Sequence, residues 1–126
     1  MSDPDTSEPD DLIAASRVEG AAVFNAAGEH LGSIEDIMIS KRSGEAVYAV
    51  MSFGGFLGIG GKLHPLPWGK LAYDAARGGY VVELTREELE NAPSYERGDI
   101  DRPFPREQEQ RIYDYYGVAP YWGPMI

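Results

Sequence analysis

A chain of 126 residues, 43% of them hydrophobic, has room for one domain with tails and a modest core. It has no cysteine, which excludes disulfides, thiolate metal sites and cysteine nucleophiles. No apolar run reaches the roughly 20 residues that span a bilayer, and the formal net charge of −10, with no basic stripe to offset it, argues against nucleic acid as a partner.

Residues 1–11 carry five carboxylates (Asp3, Asp5, Glu8, Asp10, Asp11) with Pro and Ser and almost nothing apolar, so an acidic, disordered tail is expected. The tail lacks the basic region and apolar stretch of a signal peptide, and a cytoplasmic protein is expected. Asp3-x-Asp5-x-Ser7 imitates the start of a calcium loop, but Glu8 stands where Gly is required. Leu12 to Val18 reads as a short helical segment and Ala21–Asn25 as a strand. Ala26–Glu29 reads as a tight turn in which Gly28 takes positive φ. His30–Ser40 is a second strand whose alternation slips. Ile34 and Met38 share one face while Ile37 and Ile39 share the other, which predicts a bulge or burial on both faces.

Lys41–Glu45 is a turn, and Ala46–Phe53, apolar throughout, reads as a central strand. Then comes a loop that is glycine-rich and apolar at once, Gly54-Gly55-Phe56-Leu57-Gly58-Ile59-Gly60-Gly61. Leu63–Pro67 reads as an edge or end-of-sheet strand because proline donates no ladder hydrogen bond. Trp68–Leu71 reads as a corner, and Ala72–Asp74 with Tyr80–Leu84 as a hairpin. Thr85-Arg86-Glu87-Glu88 is a capping box opening a helix that stops before Pro93. Several short strands at close spacing predict a mainly β fold, a small antiparallel β-barrel with short helices, over residues 12–92. Residues 93–126 form a C-terminal arm. Ser94–Phe104 reads as linker, followed by one helix over about 105–116, with Pro105 in its first turn and Gly117 past its end. Five aromatics between Tyr113 and Trp122 need a surface to pack on, either the chain's own barrel or a twin subunit.

Three segments carry a family resemblance. Val23-Phe24-Asn25-Ala26-Ala27-Gly28-Glu29-His30-Leu31-Gly32 is similar to the opening hairpin of the PRC-barrel family. Ile34-Glu35-Asp36-Ile37-Met38-Ile39 with Ser43-Gly44-Glu45 resembles its second strand and turn. Phe53-Gly54-Gly55-Phe56-Leu57-Gly58-Ile59-Gly60-Gly61-Lys62 with Pro65-Leu66-Pro67-Trp68 resembles the loop and Pro-Trp corner of stand-alone bacterial members. The ordered set covers about Leu12 to Leu89. The resemblance implies a small β-barrel like the cytoplasmic domain of the photosynthetic reaction-centre H subunit and the C-terminal barrel of a ribosome-maturation factor. It implies a module for docking protein partners, with no shared catalytic residues. The chain has no reaction-centre-type transmembrane helix and no N-terminal barrel of the maturation-factor type, so neither specific role carries over.

The residues themselves offer little chemistry. The glycine loop fails the P-loop pattern, with Phe56 and Leu63 at required positions, and Gly58-x-Gly60 leads to Leu63 rather than the third glycine of a dinucleotide site. His30 and His64 lack ligand spacing. Glu35 and Asp36 are adjacent on a strand and point to opposite faces unless a bulge intervenes. No cofactor, metal or catalytic residue is expected, and the chain is not expected to be an enzyme. The expected function is a non-enzymatic interaction module that associates with itself as a dimer or with another protein. Its candidate contact residues are Phe56, Leu57 and Ile59 in the loop and Tyr115, Tyr116 and Trp122 in the arm. One alternative is a peripheral subunit of a membrane complex, held by a protein and not inserted in lipid. The other is a small-ligand binder built on His64 and Trp68 at the Pro-Trp corner.

Overall fold

The computed structural model describes residues 11–53, 62–96 and 104–123. In chain order these form α1 (Ala15–Val18), β1 (Ala22–Asn25), β2 (His30–Ile39), β3 (Ala46–Phe53), β4 (Lys62–Pro67), a 3-10 turn (Trp68–Lys70), β5 (Ala72–Asp74), β6 (Gly79–Val82), α2 (Arg86–Glu90), β7 (Tyr95–Glu96) and α3 (Arg106–Tyr116). The glycine-rich loop between β3 and β4, and all of the acidic tail but Asp11, lie outside the described residues.

The strands make one mainly β, seven-stranded sheet in the order β5-β6-β1-β2-β3-β4-β7. Two features depart from an antiparallel barrel. First, β1 and β6 pair in parallel, Val23 with Tyr80 and Asn25 with Val82. The chain meanders from β1 through β4, turns at Trp68, and returns as a hairpin whose inner strand lands on the free edge of β1 in the same direction. Second, among the described residues no ladder joins the end strands β5 and β7, so the sheet does not close by hydrogen bonding. It does curl. A flat sheet would hold β4 and β6 about 19 Å apart, yet Trp68, the residue after β4, meets Tyr80 of β6 edge to face at 5.8 Å.

Local chemistry sets each connection. Gly28 takes φ +93° in the first turn, where the Glu29 amide donates to Asn25 Oδ1 and Asn25 Nδ2 donates to Glu29 Oε1. The slipped alternation of β2 corresponds to two register shifts against β3, one between Ile34 and Asp36 and one between Met38 and Ile39. The extra residue lets β2 bury Ile34 fully while leaving Ile39 53% exposed. In α2 the expected capping box forms, the Glu88 amide donating to Thr85 Oγ1 and the Thr85 amide to Glu88 Oε1. Gly117 ends α3 in the left-handed region at φ +69°.

The β4 strand corrects the edge-strand expectation. It lies between β3 and β7, but β7 pairs only with Lys62 and Leu63. Pro65 and Pro67, two residues apart, put their missing donors on one side. They oppose Val50 and Tyr48 of β3 on the other side, and beyond Leu63 the proline side has no strand partner among the described residues. The proline rule thus acts on half of the strand. β7 is a strand within a segment expected to be linker, and the hairpin strand ends at Val82 rather than Leu84.

The main core gathers Val23, Leu31, Ile34, Met51, Leu66 and Val82 from the sheet with Leu89 of α2 and Ile112 of α3. His64 is buried on β4, edge to face with Phe53 at 4.8 Å. Its Nδ1 has no hydrogen-bond partner among the described residues. Burial, with a smaller effect from Lys62, lowers its pKa to about 4.

A Cβ on Gly32 would collide with the Ser52 carbonyl across the β2–β3 ladder, whereas one on Gly69 would meet nothing within 4 Å. Gly32→Ala should therefore lower the urea-measured unfolding free energy by about 2–3 kcal/mol, and Gly69→Ala by under about 0.5 kcal/mol. The unfolded chain protonates His64 below about pH 6.5 and the folded chain only below about 4, so stability contributed by this residue is lost as pH falls through that window. Wild type should lose about 3 kcal/mol more than His64→Leu between those two values.

Candidate interaction surface

The arm docks on the protein's own sheet. Helix α3 turns Glu109, Ile112, Tyr113 and Tyr116 inward, the i, i+3, i+4, i+7 spacing of one helical face, and packs on β4. At the centre, the Tyr48 hydroxyl of β3 donates to Glu109 Oε1 at 2.7 Å, both residues being buried. Burial and then the carboxylate acceptor push the Tyr48 pKa far above its ordinary value. Burial also raises Tyr113, Tyr116 and Tyr95. Around the Tyr48 ring stand Tyr113 at 5.6 Å, Phe104 at 6.0 Å and Tyr121 at 6.5 Å. Arg106 lies 3.9 Å over the Trp122 ring, its guanidinium only loosely paired with Glu109 at 3.9 Å.

The sequence-derived candidates fall in different places. Phe56, Leu57 and Ile59 lie outside the described residues. Tyr116 is buried in the core. Tyr115 is 43% exposed, but its hydroxyl donates to the Glu88 carbonyl at 2.6 Å and ties α3 to α2. Trp122 is half-buried, edge to face on Tyr113 and beneath Arg106. Trp68 packs on the core, His30 sits exposed beside Phe24, and the β2 bulge lies at Glu35 and Asp36. Asp36 accepts from the Ile37 amide. No group of three His, Asp or Glu among the described residues could hold a metal.

The docked arm creates a feature that the sequence does not announce. An open groove of about 780 Å³ runs between the β2–β3 turn and the start of α3 with Tyr121 and Trp122. Met38, Val47 and Tyr48 lie at its sheet side, and Phe104, Tyr121 and Trp122 at its arm side. Its rim carries Lys41 and Arg42, exposed and without an ion-pair partner among the described residues. The turn that holds them is fixed by its own bonds. The Ser43 amide donates to Ser40 Oγ, the Glu45 amide to Ser43 Oγ, and the Gly44 amide to the Ser40 carbonyl, with Gly44 at φ +78°. Lys41-Arg42 reads in sequence only as turn residues; their partners across the groove lie more than sixty positions away.

A small, curled, mainly β domain with a helical arm docked across it is the class that this geometry defines. A profile of the PRC-barrel domain family matches residues 10–89, well over half of the chain, and the chain belongs to that family. The docked arm lies beyond the match. No curated protein matches the sequence significantly. No described helix is long and apolar enough to cross a membrane.

Tyr48→Phe would leave a buried carboxylate oxygen without its donor and should lower the unfolding free energy by about 2 kcal/mol in urea titration, with a shift in Trp emission. Arg106→Ala, which removes an exposed cation, should cost only about 0.5 kcal/mol.

Proposed function

We propose that this PRC-barrel chain is a non-enzymatic protein-docking module that associates with a second copy of itself through the groove between the β2–β3 turn and the arm. The observation that carries the reading is the groove's composition. Aliphatic and aromatic side chains line it, and Ile39 and Tyr121 stay 53% and 46% exposed there. Large rings held on a rigid support are the side chains from which interface energy is built. Glu109, which lines the groove, is bonded to Tyr48, and His64, which does not line it, is enclosed against Phe53. A face that meets its own copy about a two-fold axis gives a closed dimer.

Ile39→Asp tests this. Ile39 is exposed at the end of β2, so the charge should leave the thermal midpoint within about 2 °C of wild type. Sedimentation velocity at micromolar concentration should show a dimer for wild type and a monomer for the variant. A wild-type monomer, or a variant that dimerises as well as wild type, would contradict the proposal.

A further inference from the structure

The groove's charge contrasts with that of the chain. The protein as a whole is at −10. Yet the groove brings together Lys41, Arg42 and Arg106 against two carboxylates, Glu45 and Glu109, and Glu109 is already bonded to Tyr48. A net excess of one cation is too small to hold a polyanion such as nucleic acid against the repulsion of the rest of the molecule. It suits a short acidic segment. The walls add a second requirement. Tyr48, Phe104, Tyr121 and Trp122 form an aromatic-lined channel, and such channels take extended, proline-bearing peptides whose backbone is already in the polyproline conformation.

One segment of this chain meets both requirements. Ser2-Asp3-Pro4-Asp5-Thr6-Ser7-Glu8-Pro9-Asp10-Asp11 has two prolines, each flanked by carboxylates, and holds five negative charges with no positive one. Fully extended, ten residues span up to about 35 Å. We propose that the groove receives the acidic N-terminal segment of a second copy of this chain, the prolines lying on the aromatic walls and the carboxylates on Lys41, Arg42 and Arg106. This deepens, and rests on, the reading of the groove as a self-association site. The dimer is then an exchange of tails, held by charge as well as apolar contact.

The test uses the full-length protein and a fluorescein-labelled peptide of residues 2–11. Anisotropy should show saturable binding to wild type that weakens about tenfold or more in about 0.5 M salt. The double variant Lys41→Glu, Arg42→Glu should also lose about tenfold or more, as should a peptide with Asn and Gln in place of Asp and Glu. Saturating peptide should convert the dimer to monomer in sedimentation, because it displaces the partner's tail. Failure of the peptide to bind, equal binding by the neutral peptide, or indifference to the charge reversal would overturn the proposal. Binding seen only after the protein's own tail is neutralised, with no change in oligomeric state, would also overturn it, by placing the tail in its own groove. In any of these cases a dimer still broken by Ile39→Asp would leave the docking reading standing, whereas a wild-type monomer would remove both.

Discussion

The central strand β3 is buried on both faces, and the rest of the molecule answers to that constraint. Tyr48 through Ser52 are all buried, so no face of this strand can be left to water as antiparallel sheets commonly allow. The strands curl to form the main core around Ala49 and Met51. The chain's last third meets Tyr48 and Val50, which alternate with those residues. Tyr95 and Phe104 pack near Val50 and Leu63, while Phe104, Tyr113 and Tyr121 surround Tyr48. The arm is thus a wall of the fold in its own chain, although the PRC-barrel match ends at residue 89.

Burying polar groups at this wall is handled in two ways. Glu109 reaches the interior because a tyrosine hydroxyl, itself held neutral by burial, donates to it at 2.7 Å. His64 is tolerated by losing its charge. The groove left between the β2–β3 turn and the arm presents rings, aliphatic side chains and the cations Lys41 and Arg42, which have no ion-pair partner among the described residues.

What the sequence reveals follows the range of the interaction. Short-range signals read well. The slipped alternation of Ile34, Ile37, Met38 and Ile39 marks the β2–β3 register shifts, Thr85 and Glu88 mark a helix start, and Gly28 marks a turn. The run Ala46–Phe53, apolar but for Ser52, signals an interior strand because its side chains leave no polar face to turn to water. Long-range facts do not read. The parallel pairing of β1 with β6 depends on how a return hairpin lands, which no local pattern encodes. Pro65 and Pro67 indicate an edge, but two residues of β7 suffice to cover the proline-free end. Glu109 looks like part of a solvated helix face until Tyr48, sixty-one positions away, claims it. The groove is invisible for the same reason, since its two walls, Met38 to Tyr48 and Phe104 to Trp122, come from segments far apart in the chain.

The arm is a structural part of the fold. Native-state hydrogen exchange tests it directly. If α3 completes the cover over β3, the amides of Ile112 and Tyr113 should open with the same free energy as those of Val50 and Met51, and all four should follow global unfolding as denaturant is added. Exchange of the α3 amides several kcal/mol below those of β3 would show instead an arm that detaches while the sheet stays folded.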